Sequence, residues 1–177
     1  ESSATLTMTV ERIAAKVAVE KITTDFALDQ HKDLDFKVKS IYLINVAGER
    51  AYLVNNTPSS WYNAGEHIDA TAPSFLHDEV ASGTIANGSS YETEHYFYCY
   101  PNSTAAKTRL VIQASIGGET YYYPITLTEL LPNNQYSYSV VLTRLGTDSP
   151  DGSLEEDAYG VTVSIKGWTT NSSTVVI

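Results

Sequence analysis

The chain has 177 residues, 42% of them hydrophobic and 18% charged, with a formal net charge of −10; this describes a folded protein with one good core, or a full domain plus part of another. The acidic balance excludes a nucleic-acid partner and adsorption to anionic lipid, since both need clustered Lys and Arg and the eleven here are scattered. Thirteen tyrosines among many Thr, Ser and Val point to an all-β fold of broad, half-exposed sheets, and no run of about twenty apolar residues is available to span a membrane.

Residues 5–23 read as one long strand. Ile13, Ala15, Val17 and Val19 alternate with Ala14, Lys16 and Ala18, and a switch of parity at Glu20 and Lys21 predicts a bulge. A helix competes over Glu11–Val17 because the segment is rich in helix formers, but its Thr and Val flanks favour the strand. Residues 24–35 hold five charges and read as a turn or linker. Phe36 to Val46 is the next strand, with Phe36, Val38, Tyr42, Ile44 and Val46 expected on one side and Ile41 and Leu43 on the other. Two apolar faces place such a strand inside a sandwich.

Gly48 to Arg50 is expected to turn the chain into a hairpin partner at residues 51–54. Residues 55–90 show no sustained period, which marks a long excursion, with residues 72–80 as a short helix carrying Pro73 in its first turn. Tyr91 to Tyr100 resumes as a strand whose single cysteine, Cys99, reads as a small buried residue; with one cysteine there is no internal disulfide. Residues 107–127, broken by Gly117-Gly118, form the clearest hairpin. Tyr121, Tyr122 and Tyr123 put rings on both faces of its second strand, and Pro124 marks an edge or a strand end.

The carboxyl-terminal region carries three strand-like runs. Tyr136, Tyr138, Val140 and Leu142 share one parity; Val161, Val163 and Ile165 share another, as expected of strands with one buried face, and Trp168 closes the second run. The loop between them, Thr147 to Asp157, is too polar for core. The last run is odd: Thr174, Val175, Val176 and Ile177 are β-favouring residues at the point where chains usually fray. An apolar strand there must pair, either within its own chain or with a neighbour's open edge.

Taken together, the run from Asn134 to Thr143, then Leu145 to Asp151, then Val161 to Trp168 with its hydrophobic tail, resembles the carboxyl-terminal region of Bacteroidetes fimbrillins, the subunits of type V pili. Val10 to Val17 resembles the strand that closes the amino-terminal domain in that family. The resemblance implies an antiparallel β-sandwich of the transthyretin-like or Ig-like pilin type. It divides the chain into residues 1–24, the closing strand of a preceding domain, and residues 25–177, a sandwich with a terminal donor strand. It also implies a non-enzymatic subunit of a cell-surface fimbrium at the outer membrane of a Gram-negative bacterium. Such a subunit is secreted as a lipoprotein precursor, trimmed by a trypsin-like protease, and polymerised with its own or related copies by donor-strand exchange, with roles in adhesion and biofilm. Carried over by residue, Gly160 to Trp168 matches the penultimate strand, and Ser172, Ser173, Thr174, Val175, Val176 and Ile177 match the donor. The opening Glu1-Ser-Ser-Ala-Thr5 carries no basic, apolar leader, so the numbering is expected to begin downstream of one. The protease site and the acceptor strand find no counterpart in these residues.

Chemistry is sparse. His67, Asp69, His77, Asp78 and Glu79 gather in the long excursion without any zinc-binding spacing, and read as solvated polar residues rather than a metal site. The acidic loop fails the calcium-loop pattern and reads as a turn built on Pro150-Asp151-Gly152. Glu92 and Glu94 share a strand face with Tyr96 and Tyr98, and read as cross-strand ion-pair partners rather than a catalytic carboxylate pair. No cofactor is expected. Trp61, Tyr62, Tyr91, Tyr121 and Tyr123 read first as core or subunit interface. Their alternative is a sugar-stacking platform, which would make the chain a tip or accessory adhesin for a glycan or host protein. A secreted hydrolase is the remaining alternative, and a cleft of convergent polar groups would be its mark.

Overall fold

The first segment is split rather than continuous. In the structure, a computed structural model that describes residues 5–51, 57–64, 74–128, 130–154, 159–167 and 171–176, β1 spans Thr5–Val10 and β2 spans Ala15–Thr24. A single turn of helix, α1 (Asp29–Lys32), lies in the charged linker, and β3 (Phe36–Ile44) and β4 (Val46–Ala47) follow. The excursion contributes β5 (Trp61–Tyr62), a 3-10 turn at Ser74–Leu76, β6 (His77–Glu79) and β7 (Ser90–Tyr91). Then come β8 (His95–Cys99), β9 (Arg109–Ile116), β10 (Glu119–Thr126), β11 (Asn134–Leu142), β12 (Tyr159–Gly167) and β13 (Asn171–Val176).

Two sheets face each other. One has the order β10-β9-β3-β6; the other runs β12-β11-β2-β7, with β8 also on β2. The core between them draws Val17, Val19 and Ile22 from β2, Phe97 from β8 and Tyr136, Tyr138 and Val140 from β11. From the facing sheet it takes Phe36, Ile41, Leu43, Leu110, Ile112 and Tyr123. Among the described residues the strand pairings are antiparallel, as the expected antiparallel sandwich requires, with one exception: β11 runs parallel to β2. A parallel pair needs a long crossover, and here the whole of sheet β10-β9-β3-β6 lies in the chain between the two strands.

β2, which ends at Thr24, is a central strand of this sandwich. The bulge expected near Glu20 is present: Tyr138 faces Val19 while Ser139 faces Lys21, so Glu20 is the extra residue, and the buried set shifts from Val17 and Val19 to Ile22 and Thr24. A second bulge was not foreseen. The register of β3 slips at Lys39, between Val38 and Ser40, which puts Phe36 and Val38 on the same face as Ile41 and Leu43 rather than with Tyr42 and Ile44. Asn45, at φ 53°, then returns Val46 to the core side. Strict alternation fails because each bulge adds a residue that a period of two does not count.

Gly117 and Gly118 turn the β9–β10 hairpin at φ 61° and 96°, the left-handed pair that a two-residue hairpin demands. β10 is an edge strand, as Pro124 indicated. Residues 72 and 73 of the expected helix lie outside the described residues, and the rest is no α-helix: a 3-10 turn at Ser74–Leu76 gives way to β6, whose pairing with Ser40, Ile41 and Tyr42 outweighs local helical preference. β4 pairs with β5, and residues 52–54 of the hairpin partner expected at 51–54 lie outside the described residues.

Candidate functional site

Two places in this fold concentrate features that the core does not need. The first is the carboxyl-terminal pair of strands. β12 lies along β11 with Val161 opposite Val140, Val163 opposite Tyr138 and Ile165 opposite Tyr136. Ile165 was expected in the buried set, but its side chain is 58% exposed, because β12 is the outer strand of its sheet and is covered on one side only. Trp168 lies outside the described residues. β13 does not turn back along β12, as sequential strands usually do. It pairs with β1 instead, with Ser172, Ser173, Thr174, Val175 and Val176 opposite Thr9, Met8, Thr7, Leu6 and Thr5. This ribbon is a two-stranded sheet of its own, hydrogen-bonded to neither sheet of the sandwich among the described residues. Ile177 lies outside them.

The second place is a cleft of about 720 Å³ at the β6–β8 edge of the sandwich, lined by Tyr62, Phe75, Tyr96, Tyr98 and Tyr100 together with Asp78 and Glu94, over a floor that includes Val46, Ala47 and Cys99. Alternation along β8 explains its wall: Phe97 and Cys99 point into the core, which turns Tyr96 and Tyr98 outward. These two rings meet edge to face at 5.7 Å, and Tyr62 and Phe75 do the same at 6.2 Å. Glu94 Oε1 accepts a hydrogen bond from Lys16 Nζ at 2.6 Å, and the same ammonium stands 4.6 Å from the Tyr96 ring centre. Asp78 Oδ2 is 3.0 Å from His95 Nδ1, and His95 Nε2 is 2.9 Å from the Tyr91 hydroxyl. A ring protonated on Nδ1 satisfies both contacts, donating to Asp78 and accepting from Tyr91. Tyr91 itself stacks on His95 and packs against the core, so the Asp78 carboxylate is held from the interior.

The expected aromatic platform is thus regrouped. Tyr123 is fully buried and donates its hydroxyl to the Arg144 carbonyl at 2.8 Å. Tyr121 packs against the core, Tyr91 supports His95, and Trp61 pairs with Ala47 in β5. Of the five, Tyr62 alone lines the cleft. Phe75, Tyr96, Tyr98 and Tyr100 were missed, although the shared face of Glu94, Tyr96 and Tyr98 was visible in the sequence. Glu92 and Glu94 do form ion pairs with Lys21 and Lys16 of neighbouring β2.

The other polar candidates have structural roles. His77 lies against the Tyr42 ring, and His67 and Asp69 lie outside the described residues. No group of three or more His, Cys, Asp or Glu side chains among the described residues is arranged to hold a metal ion. Ser149 to Gly152 forms the expected turn, with the Gly152 N–H donating to the Ser149 carbonyl at 3.0 Å. Burial pushes the Cys99 thiol up to about 12, which leaves it unreactive. No helix among the described residues is long and apolar enough to cross a membrane.

No protein-family profile and no curated protein sequence matches the chain. Solved structures do. A candidate cell adhesion protein from Bacteroides eggerthii superposes with a TM-score of 0.63 at 22% identity, covering 89% of this chain and 56% of that one. A fimbrilin from Porphyromonas gingivalis gives 0.61 at 17% identity, covering 89% and 58%. A candidate cell adhesion protein from Parabacteroides distasonis gives 0.59 at 14% identity, covering 90% and 60%. The chain therefore spans less than two thirds of the length of each of these proteins. At such identities the likeness speaks for the fold, and the fold of this chain is that of the Bacteroidetes fimbrilin and candidate cell adhesion structures.

Proposed function

We propose that this protein is a structural subunit of a cell-surface fimbria, joined to identical or related subunits by β-strand addition through its carboxyl-terminal strand, and that it serves adhesion. The observation that carries this reading is the position of β13 in a fold shared with a fimbrilin: it pairs with β1 in a ribbon outside both sheets, so the sandwich does not depend on it. A strand held this way can be exchanged for pairing with another subunit at little cost to its own core. Burying Val175, Val176 and Ile177 in a neighbour contributes roughly 1.5–3 kcal/mol each, beside the main-chain hydrogen bonds. β12, paired on one side only among the described residues, is the penultimate strand of this scheme.

Deleting residues 172–177 is the direct test. The truncated protein is expected to stay folded and monomeric, with a thermal midpoint within a few degrees of the full chain, and to fail to join filaments under electron microscopy. Filaments of ordinary length from the truncated subunit would overturn the proposal.

A further inference from the structure

We infer that the cleft beside β8 is a binding site for a neutral saccharide. Among the described residues, every exposed large aromatic lines this one concavity: Phe75 at 59%, Tyr98 at 52%, Tyr96 at 51% and Tyr62 at 38% exposure. They come from β5, the 3-10 turn and β8, three separate elements, and scattered surface aromatics would not gather so. Both pairs meet edge to face, and at these exposures each ring turns part of its surface toward the cleft. Such surface matches the C–H faces of a pyranose.

The charges select the ligand further. Asp78 keeps Oδ1, and Glu94 keeps Oε2, without a partner among the described residues, since His95 and Lys16 engage the other oxygen of each. Two carboxylate oxygens fixed from behind are acceptors for sugar hydroxyls. An anionic sugar is disfavoured, because two carboxylates against one ammonium leave the cleft negative within a chain of net charge −10. A cationic ligand would meet the Lys16 ammonium, which already stands 4.6 Å from the Tyr96 ring centre and pairs with Glu94. At about 720 Å³ the cleft falls in the range of small-molecule sites, roughly 300–1,000 Å³.

The test uses the full chain and a panel of free oligosaccharides: neutral hexose and N-acetylhexosamine di- and trisaccharides, their sialylated or uronate counterparts, choline, and an extended Val/Thr peptide. Binding is read by calorimetry and by NMR. Neutral members are expected to bind, with anionic members, choline and the peptide showing none. Tyr96→Ala with Tyr98→Ala should weaken binding about tenfold while Tyr96→Phe with Tyr98→Phe retains most of it; both positions are exposed, so the thermal midpoint checks that the fold is kept. Asp78→Asn should weaken binding without abolishing the stacking contribution. The chain lacking residues 172–177 should bind as the full chain does, which separates this inference from the polymerisation reading. Absence of binding by every neutral saccharide, preference for choline or the peptide, or undiminished binding by the double alanine variant would overturn it.

Discussion

Asn102 shows how a single polar residue fixes a loop in this fold. It is 3% exposed, its amide donates to the Ala106 carbonyl at 2.7 Å and the Thr108 hydroxyl at 3.2 Å, and its Oδ1 accepts from the Thr104 N–H and hydroxyl. Thr108 passes the network on, donating at 2.8 Å to the carbonyl of Asn45, the left-handed residue that returns Val46 to the core. Among the groups left behind by Asn102→Ala, the Thr108 hydroxyl is buried and Thr104 half-buried, so the variant should lose about 1–3 kcal/mol of stability in urea unfolding. An unchanged midpoint would show that water replaces the amide at no cost. In sequence, Asn102 was one polar residue in a loop, because Asn45, whose carbonyl accepts from both Asn102 and Thr108, lies 57 and 63 positions before them and meets them only once the sheets are packed.

At the scale of elements, the exposed edges are managed in different ways. β10 carries Pro124, which has no N–H to offer a stranger, and its outer side is occupied by the loop after β11: Tyr122 and Thr147 exchange N–H to carbonyl bonds at 2.8 and 2.9 Å. That loop fits because Gly146 has no side chain; a Cβ there would stand 2.3 Å from the Tyr122 carbonyl oxygen. Gly146→Val is expected to detach the loop, cost on the order of 1–3 kcal/mol through the two lost hydrogen bonds, and expose β10. Amide exchange should then accelerate at Tyr122 and Thr147 and not in β2. Protection unchanged at both amides would refute this account of the edge. β6 and β7 are too short to invite pairing. β12, at nine residues, is a long strand paired on one side only among the described residues.

For the whole molecule, the buried hydroxyls and thiol set how stability responds to alkali. Loss of solvent raises Cys99 from 9.0 to about 12 and raises Tyr42, Tyr123 and Tyr138 above the ordinary phenol range. Each group is kept neutral by folding. Their contribution is therefore fully present below the unfolded values and is lost as pH climbs through the folded ones. Stability should be level from pH 7 to 8 and fall from about pH 9 upward, with Cys99 alone accounting for on the order of 1.4 kcal/mol per unit above the unfolded thiol's value. Cys99→Ala should make the decline shallower. Denaturation midpoints that do not move between pH 8 and 11 would contradict the burial argument.

Alternation and turn chemistry by themselves determined the class of fold, the β9–β10 hairpin, the bulge at Glu20, the edge at Pro124 and the buried stripe of β11, because each depends on residues close in sequence and on a period of two. Packing alone decided the rest. The slip at Lys39 is invisible locally, since Tyr42 and Ile44 are as apolar as Ile41 and Leu43, and the facing sheet chooses which pair goes inside. His77 to Glu79 left the expected helix for pairing with β3, an interaction some forty residues distant in sequence. Tyr62, Phe75, Asp78 and Tyr98 became neighbours only because two sheets meet at one edge; no spacing in the chain encodes a concavity whose walls belong to three elements.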